Sequence, residues 1–254
     1  MFSSSLGKKY LMALTGLVLV GFVFVHMAGN LQVLAGQAQI NAYAHSLQSL
    51  PWFILWGSRL FLLAAVLIHA WTAYSLIVEN RKARPHSNDI EVTKRAGLAS
   101  LRMGLTGSII LAFIVFHLLH FTIRTIYPEY AEMKTMVGSP DETEIHDAFL
   151  MVISGFKQEA VSIFYVVAMA LLCAHLAHGF SSVFQSLGIR SESWRSKLDL
   201  MGIGYAWLIF IGFSIVPVSV LVQKHGVYET YDPSFFSQEI EQESLSQNLL
   251  NNES

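Results

Sequence analysis

The sequence predicts an all-α fold, an integral membrane bundle of five transmembrane helices in one domain. Hydrophobic residues make up 53% of the 254 residues and charged residues only 13%, and the mean hydropathy is +0.47. These values lie outside the range of soluble globular domains. Five apolar stretches are long enough to cross a hydrocarbon core of about 30 Å, which takes about 20 helical residues. They cover residues 9–34, 52–78, 103–127, 160–187 and 201–222.

The first stretch has some features of a signal peptide, because Lys8 and Lys9 precede an apolar run with small residues at Ala28 and Gly29. The run continues for about 25 residues, whereas the apolar region of a signal peptide has about 7–15. We therefore interpret it as an uncleaved first helix. We assign residues 1–225 to the membrane domain and residues 226–254 to an acidic polar tail, whose composition predicts disorder.

The distribution of Lys and Arg predicts the orientation in the membrane. If the N-terminus is cytoplasmic, eleven of the sixteen basic residues fall in the inner segments and five on the outer side. The outer loop 128–158 and the tail are acidic. We therefore expect a cytoplasmic N-terminus, an outer C-terminus and a multi-pass protein of a bacterial cytoplasmic (inner) membrane.

Four of the five stretches carry a histidine at membrane depth. These residues are His26, His69, His117 and His178, with His120 and His175 one turn from the last two. A polar group inside hydrocarbon is costly and indicates function. Two histidines on facing helices are a common way to hold haem iron in a bundle. The single cysteine, Cys173, excludes covalent attachment through a C-x-x-C-H motif, so any haem is b-type.

The rise of 1.5 Å per helical residue sorts these histidines into two levels. His26 lies about 25 Å from the inner boundary and meets His117 or His120 in the outer leaflet. His69 lies about 15 Å from that boundary and meets His178 or His175 in the inner leaflet. The arithmetic predicts two bis-histidine haems stacked across the membrane. An alternative is that the histidines only form hydrogen bonds between helices, and for His120 and His175 we favour this supporting role.

Several short motifs resemble the cytochrome b subunit of succinate dehydrogenase and fumarate reductase, in its single-polypeptide, five-helix, two-haem class (cytochrome b558 type). The first is Thr15-Gly16-Leu17 followed by Val25 to Gln32, then Gly36, Asn41 and Tyr43-Ala44. The others are Ile68-His69-Ala70, Phe116-His117-Leu118 and His178-Gly179. The similarity extends from Lys8 to about Val222.

The resemblance implies a membrane anchor for a flavoprotein subunit and an iron–sulfur subunit on the cytoplasmic face. Electrons would pass between these partners and a quinone, typically menaquinone, through two haem b groups. The resemblance favours His117 over His120 and His178 over His175 as axial ligands. It also implies that dicarboxylate catalysis belongs to the partner subunits, in agreement with the lack of a G-x-G-x-x-G motif in a nucleotide-binding context in this chain. We expect no nucleic-acid partner.

Other polar residues are candidates for binding quinone or haem propionates. On the outer side, Arg59 suits a propionate, with snorkelling to the interface as the alternative. Asn30 and Gln32 suit a quinone pocket or ordinary helix capping, and a second outer group consists of Asn41, Tyr43 and His45. On the inner side, the candidates for propionates or the partner subunit are Arg95, Arg102 and Arg190.

Three functions follow from these observations. The first is electron transfer in a succinate:quinone or quinol:fumarate oxidoreductase. The second is a dihaem cytochrome b of another quinone-linked dehydrogenase. The third is a non-redox membrane protein whose histidines only pack.

Overall fold

A computed structural model of the chain describes residues 4–83, 91–137 and 143–223, with only the backbone of residues 91–101. The predicted tail 226–254 and the side chain of Arg95 lie outside the described part. Seven helices are present there: α1 (Ser5–Asn30), α2 (Gln37–Gln48), α3 (Trp52–Lys82), α4 (Glu91–His117), α5 (Ala148–Lys157), α6 (Glu159–Ser186) and α7 (Glu192–Val222). Two antiparallel strands, β1 (Lys134–Val137) and β2 (Thr143–His146), form a hairpin.

The prediction of five membrane-spanning helices is confirmed, because α1, α3, α4, α6 and α7 are long and apolar enough to cross a bilayer. Several boundaries differ from the prediction, and α4 begins at Glu91 rather than at residue 103. The fifth helix begins at Glu192 rather than at residue 201, since its first turns are polar but still helical. The third ends in a π-helical turn, Leu118–Thr122, and the backbone then leaves the helix at Arg124, which has a φ of 62°.

The four histidine-bearing helices form a closed ring. Around this ring α1 packs on α3, α3 on α4, α4 on α6, and α6 on α1. Helix α1 is therefore diagonally opposite α4, and α3 is diagonally opposite α6. Helix α7 packs on the outside, against α6 and α1, and its Ala206 and Ile209 are completely buried there. Gly212 contributes to this packing, because a Cβ atom at that position would overlap the Met27 side chain of α1.

Exposed aromatic residues lie near both ends of α3, at the levels where the aromatic belts of membrane helices are found. Trp52 and Trp56 are exposed at the start of α3, while Tyr74, near its other end, is 69% exposed. Trp56 and Tyr74 are eighteen residues apart, which corresponds to about 27 Å of helix. This distance matches the thickness of a hydrocarbon core, and Trp and Tyr are enriched at its two interfaces. The surface pattern therefore agrees with a multi-pass membrane protein.

One end of the bundle is covered by a small folded unit, which we call the cap and which consists of α2, the β hairpin and α5. Residues 128–158 were predicted to be an outer loop, but they include α5, which is apolar and has eight of its ten residues buried. Its Phe149, Ile153 and Phe156 share one core with Tyr165 of α6 and Val220 of α7. The cap is thus an extension of the bundle core.

The buried carboxylate of Asp147 joins the parts of the cap. Its Oδ1 accepts hydrogen bonds from Asn41 Nδ2 and Leu150 N, both at 2.9 Å, and its Oδ2 accepts one from Gln37 Nε2 at 2.6 Å. Asn41 Oδ1 in turn accepts a hydrogen bond from Phe149 N at 2.9 Å. A single side chain therefore caps α5 and fixes α2 against it.

Candidate functional site: two histidine pairs in the bundle

The first pair, which we call the upper pair, consists of His26 on α1 and His117 on α4. Their ring centroids are 5.8 Å apart. The His26 ring also stacks on Phe22 and contacts Phe213 of α7. Because α1 and α4 are diagonally opposite, the upper pair spans the interior of the ring at the end that the cap covers.

The second pair, which we call the lower pair, consists of His69 on α3 and His175 on α6. Their ring centroids are 6.5 Å apart, and they too join diagonally opposite helices. The resemblance favoured His178 at this place, but the structure leaves His178 exposed and turns His175 toward His69. The two residues are three positions apart, so their side chains leave α6 about 60° apart, and packing against the neighbouring helices decides which one faces inward.

Two glycines lie next to the lower pair, and their positions in the sequence give the distance between the lower and the upper pair. A Cβ atom at Gly16 of α1 would lie 3.3 Å from His69 Cε1, and one at Gly107 of α4 would lie 3.4 Å from His175 Cε1. Gly16 precedes His26 by ten residues, and Gly107 precedes His117 by ten residues. Ten helical residues correspond to about 15 Å. The two pairs are therefore stacked along the bundle with the same separation on both helices.

The separation of the two rings in each pair is that expected of a bis-histidine haem. Two imidazoles on opposite sides of one metal ion have ring centres about 6 Å apart when each metal–nitrogen bond is about 2 Å long. Both measured separations are close to this value. Among the described residues, no three His, Cys, Asp or Glu side chains come together as a metal site. Two imidazoles are a sufficient protein donor set for haem, because the porphyrin supplies the remaining iron ligands.

Hydroxyl groups bind the Nδ1 atoms of three of these four histidines. In the lower pair, His69 Nδ1 lies 3.3 Å from Thr15 Oγ1 and 3.2 Å from the Met12 carbonyl oxygen. His175 Nδ1 lies 3.2 Å from Thr106 Oγ1. Such contacts orient a ligating imidazole and leave its Nε2 atom available for a metal.

In the upper pair the corresponding hydroxyl belongs to Tyr165 of α6. Its oxygen lies 3.3 Å from His117 Nδ1 and 2.9 Å from His120 Nδ1. His120 is completely buried, and its Nε2 atom has no hydrogen-bond partner among the described residues. Its ring stacks on Phe121 at 3.9 Å. His120 thus contacts the hydroxyl of Tyr165, whereas His117 is the residue whose ring lies next to His26.

The structure separates the predicted quinone candidates into two groups. Three of them lie on α1, on the short turn that follows it and on α2, and of these Asn30 contacts the upper pair. Asn30 Nδ2 donates to the His26 carbonyl oxygen at 2.8 Å and lies within 3.5 Å of the ring nitrogens. Gln32 Oε1 accepts a hydrogen bond from Gln39 Nε2. Tyr43 packs against Gly29, where a Cβ atom would lie 2.5 Å from the Tyr43 hydroxyl.

The other three candidates are placed elsewhere. Asn41 is 1% exposed, and both ends of its amide are engaged by Asp147 and Phe149, so it has a structural role in the cap. His45 is exposed and contacts Ser49 Oγ at 3.3 Å. Arg59 is exposed, with its guanidinium 5.2 Å from the centre of the Trp56 ring. Its side chain thus reaches toward the aromatic belt rather than the bundle interior.

The basic candidates at the opposite end have protein partners or are exposed. Arg190 donates two hydrogen bonds to the Asp199 carboxylate, at 2.7 and 2.9 Å, and one to Gln185. Arg102 is exposed. At the same end Lys8 and Ser5 of α1 both bind the Glu79 carboxylate of α3. Ion pairs therefore connect neighbouring helices beyond the lower pair.

Three further polar groups near the cap are buried (Tyr130) or half-buried (Arg124 and His146). Burial and the nearby Arg124 guanidinium lower the pKa of His146, and burial also lowers the pKa of Arg124. Burial raises the pKa of Tyr130, with a smaller contribution from Tyr127. Burial thus favours the neutral forms of His146 and Tyr130 at this end of the bundle.

Thr15, Thr106 and Tyr165 were not predicted as site residues, although Thr15 belongs to a motif that carries the resemblance. A signal for the two threonines is present as an internal repeat. Leu14-Thr15-Gly16 precedes Phe22 and His26 with the same spacing as Leu105-Thr106-Gly107 precedes Phe113 and His117. No comparable pattern marks Tyr165, whose contact with His117 arises from the packing of α6 on α4.

Comparisons with protein-family models, with curated proteins and with solved structures find no match to this chain.

Proposed function

We propose that this chain is the membrane-anchor cytochrome b subunit of a succinate:quinone or quinol:fumarate oxidoreductase. It transfers electrons between an iron–sulfur partner and a quinone, with menaquinone as the expected substrate. The observation that carries the proposal is the stack of two histidine pairs, each joining diagonally opposite helices, about 15 Å apart. The resemblance of the histidine motifs supports the choice of this oxidoreductase.

Each histidine pair would hold one b haem, which supplies one-electron transfer when bound. The ligands of this proposal are His26 and His117 at the upper level and His69 and His175 at the lower level. His175 replaces the earlier choice of His178 because only His175 faces His69. Electron transfer across the membrane needs haems at two heights, because a single haem would leave about half of a 30 Å hydrocarbon core uncrossed.

The orientation in this proposal follows from the basic residues. With a cytoplasmic N-terminus, the lower pair lies on the cytoplasmic side of a bacterial inner membrane and the upper pair with the cap lies outside. The flavoprotein and iron–sulfur subunits would dock at the lower end. The exposed Arg102, Arg195 and Lys197 provide basic side chains there, and Glu192 lines a polar cleft with Arg190 and Arg195.

The haem count tests the proposal directly. We expect the purified protein to contain two non-covalent b haems per chain in a pyridine haemochrome assay, because each histidine pair supplies two axial ligands. We also expect flavoprotein and iron–sulfur subunits that oxidise succinate to copurify. One haem or none would contradict the two-site arrangement. Two haems with a formate-, hydrogen- or nitrate-linked partner would instead establish the cytochrome of another dehydrogenase.

In this proposal the quinone binds at the upper end, where the Asn30 amide lies beside the His26 ring. In the intact complex we expect Asn30→Ala to lower quinone turnover about tenfold, which corresponds to the loss of one hydrogen bond of roughly 1–1.5 kcal/mol. Arg59→Ala is the matched control, and it should retain turnover because Arg59 stacks on Trp56 at the exposed surface. Dye-linked succinate oxidation should be unchanged in both variants. Normal quinone turnover in Asn30→Ala, or loss in Arg59→Ala, would refute this placement.

A further inference from the structure

We propose that Thr106, and to a smaller extent Thr15, are positioning residues that hold the lower-pair imidazoles in the Nδ1–H tautomer and lower the reduction potential of the haem bound there. This inference rests on the proposed function. It concerns the two hydroxyls of the repeated Leu-Thr-Gly segment, which contact the lower pair from α1 and α4.

The tautomer follows from the number of protons on each hydroxyl. A threonine hydroxyl has one proton to donate. The Thr106 hydroxyl donates it within α4, to the Arg102 carbonyl oxygen at 2.9 Å. The Thr15 hydroxyl likewise donates to the Leu11 carbonyl oxygen at 2.8 Å. With its proton on the backbone carbonyl, each threonine oxygen accepts from the imidazole, which places the proton of the neutral ring on Nδ1. For His69 the Met12 carbonyl oxygen, which can only accept, requires the same tautomer.

The consequence concerns the other ring nitrogen. With the proton on Nδ1, the Nε2 atoms of His69 and His175 carry the lone pair that binds a metal. Neither Nε2 atom forms a hydrogen bond with the described residues. The hydroxyls of Thr15 and Thr106 therefore hold both rings of the lower pair in the tautomer whose Nε2 atom can bind a metal.

The two imidazoles of the lower pair differ in the number of hydrogen-bond acceptors near Nδ1. His69 Nδ1 has a second acceptor, the Met12 carbonyl oxygen at 3.2 Å, whereas the described contacts of His175 Nδ1 include only Thr106. A hydrogen bond from Nδ1–H makes the imidazole a stronger electron donor. A stronger donor favours ferric over ferrous iron and so lowers the reduction potential. Removing Thr106 should therefore have the larger effect.

The test is a spectroelectrochemical titration of the intact complex. We expect Thr106→Val to raise the potential of the lower haem, Thr15→Val to raise it less, and Thr106→Ser to restore the wild-type value. The upper haem should keep its potential in all three variants. His69→Ala identifies the spectrum of the lower haem by removing it.

Thr72→Val is the matched control. Thr72 is completely buried, and its hydroxyl also donates to backbone carbonyls, at Ile68 and His69, without contacting an imidazole nitrogen. The substitution should leave both potentials unchanged. An unchanged or lower potential in Thr106→Val, or a larger rise in Thr15→Val than in Thr106→Val, would overturn the inference. If Thr106→Val loses the lower haem, two other results test the inference. The potential of that haem must rise in Thr15→Val, and it must equal the wild-type value in Thr106→Ser. A wild-type protein without haem would instead refute the proposed function.

Discussion

We expect His175→Ala to remove the lower haem and His178→Ala to leave both haems in place. Among the substitutions at the proposed site, this pair should show the largest difference in haem content. His175 faces His69 across the bundle with a ring separation of 6.5 Å, whereas His178 is exposed on the same helix. Without His175 one axial position has no protein ligand. We therefore expect the haem content to fall from two to one per chain, with the spectrum of the upper haem retained.

The two substitutions control for each other, because both replace a histidine by alanine within one turn of α6. His69→Ala should remove the same spectral component as His175→Ala. Added imidazole should restore that component in a His175→Gly variant if the defect is loss of a ligand rather than of the fold. Loss of a haem in His178→Ala, with His175→Ala intact, would restore the assignment that the resemblance favoured.

The upper pair gives the same comparison on α4. His117→Ala should remove the upper haem. His120→Ala should retain both, because His120 contacts Tyr165 and stacks on Phe121 rather than facing His26.

Asp147→Ala is expected to produce the largest loss of stability in the cap. The substitution removes the acceptor of the Leu150 backbone N–H and of the Asn41 side-chain amide, two donors that are about 1% exposed. An unsatisfied buried donor costs about 1–3 kcal/mol. The lost bond to Leu150 N is the N-cap of α5, which by itself is worth about 1 kcal/mol. We therefore expect a total loss of about 3 kcal/mol or more.

Thermal unfolding of the purified protein measures this loss. For a chain of this size, about 3 kcal/mol corresponds to a decrease in Tm of roughly 6–12 °C. Limited proteolysis should show new cleavage in residues 128–157. The matched control is Glu144→Gln, which removes the exposed ion pair with Lys134 in the same cap and should change stability by less than about 0.5 kcal/mol. Equal unfolding temperatures for Asp147→Ala and the wild type would show that the cap is stable without this carboxylate.

Much of this architecture was predictable because it depends on local properties of the chain. The length and hydropathy of each stretch determine whether it can span a membrane, and all five predicted spans are present. The constant rise per residue determines the height of each histidine on its helix, so the two levels follow from counting residues. The cap was not predicted, because the apolar run 148–156 is too short to distinguish a buried helix from a strand or an interfacial segment.

The sequence by itself determined how many helices are long and apolar enough to cross a membrane and at which heights their histidines lie, since both follow from composition and helical rise. Only the tertiary structure decided which histidine of α6 faces α3, because His175 and His178 differ by a rotation that the packing of α6 sets. It also decided that Asn41 binds Asp147, a partner 106 residues away. Likewise, the contact of Thr106 with His175 depends on how α4 and α6 pack. Such pairings are decided by contacts between helices, which no local pattern along one helix specifies.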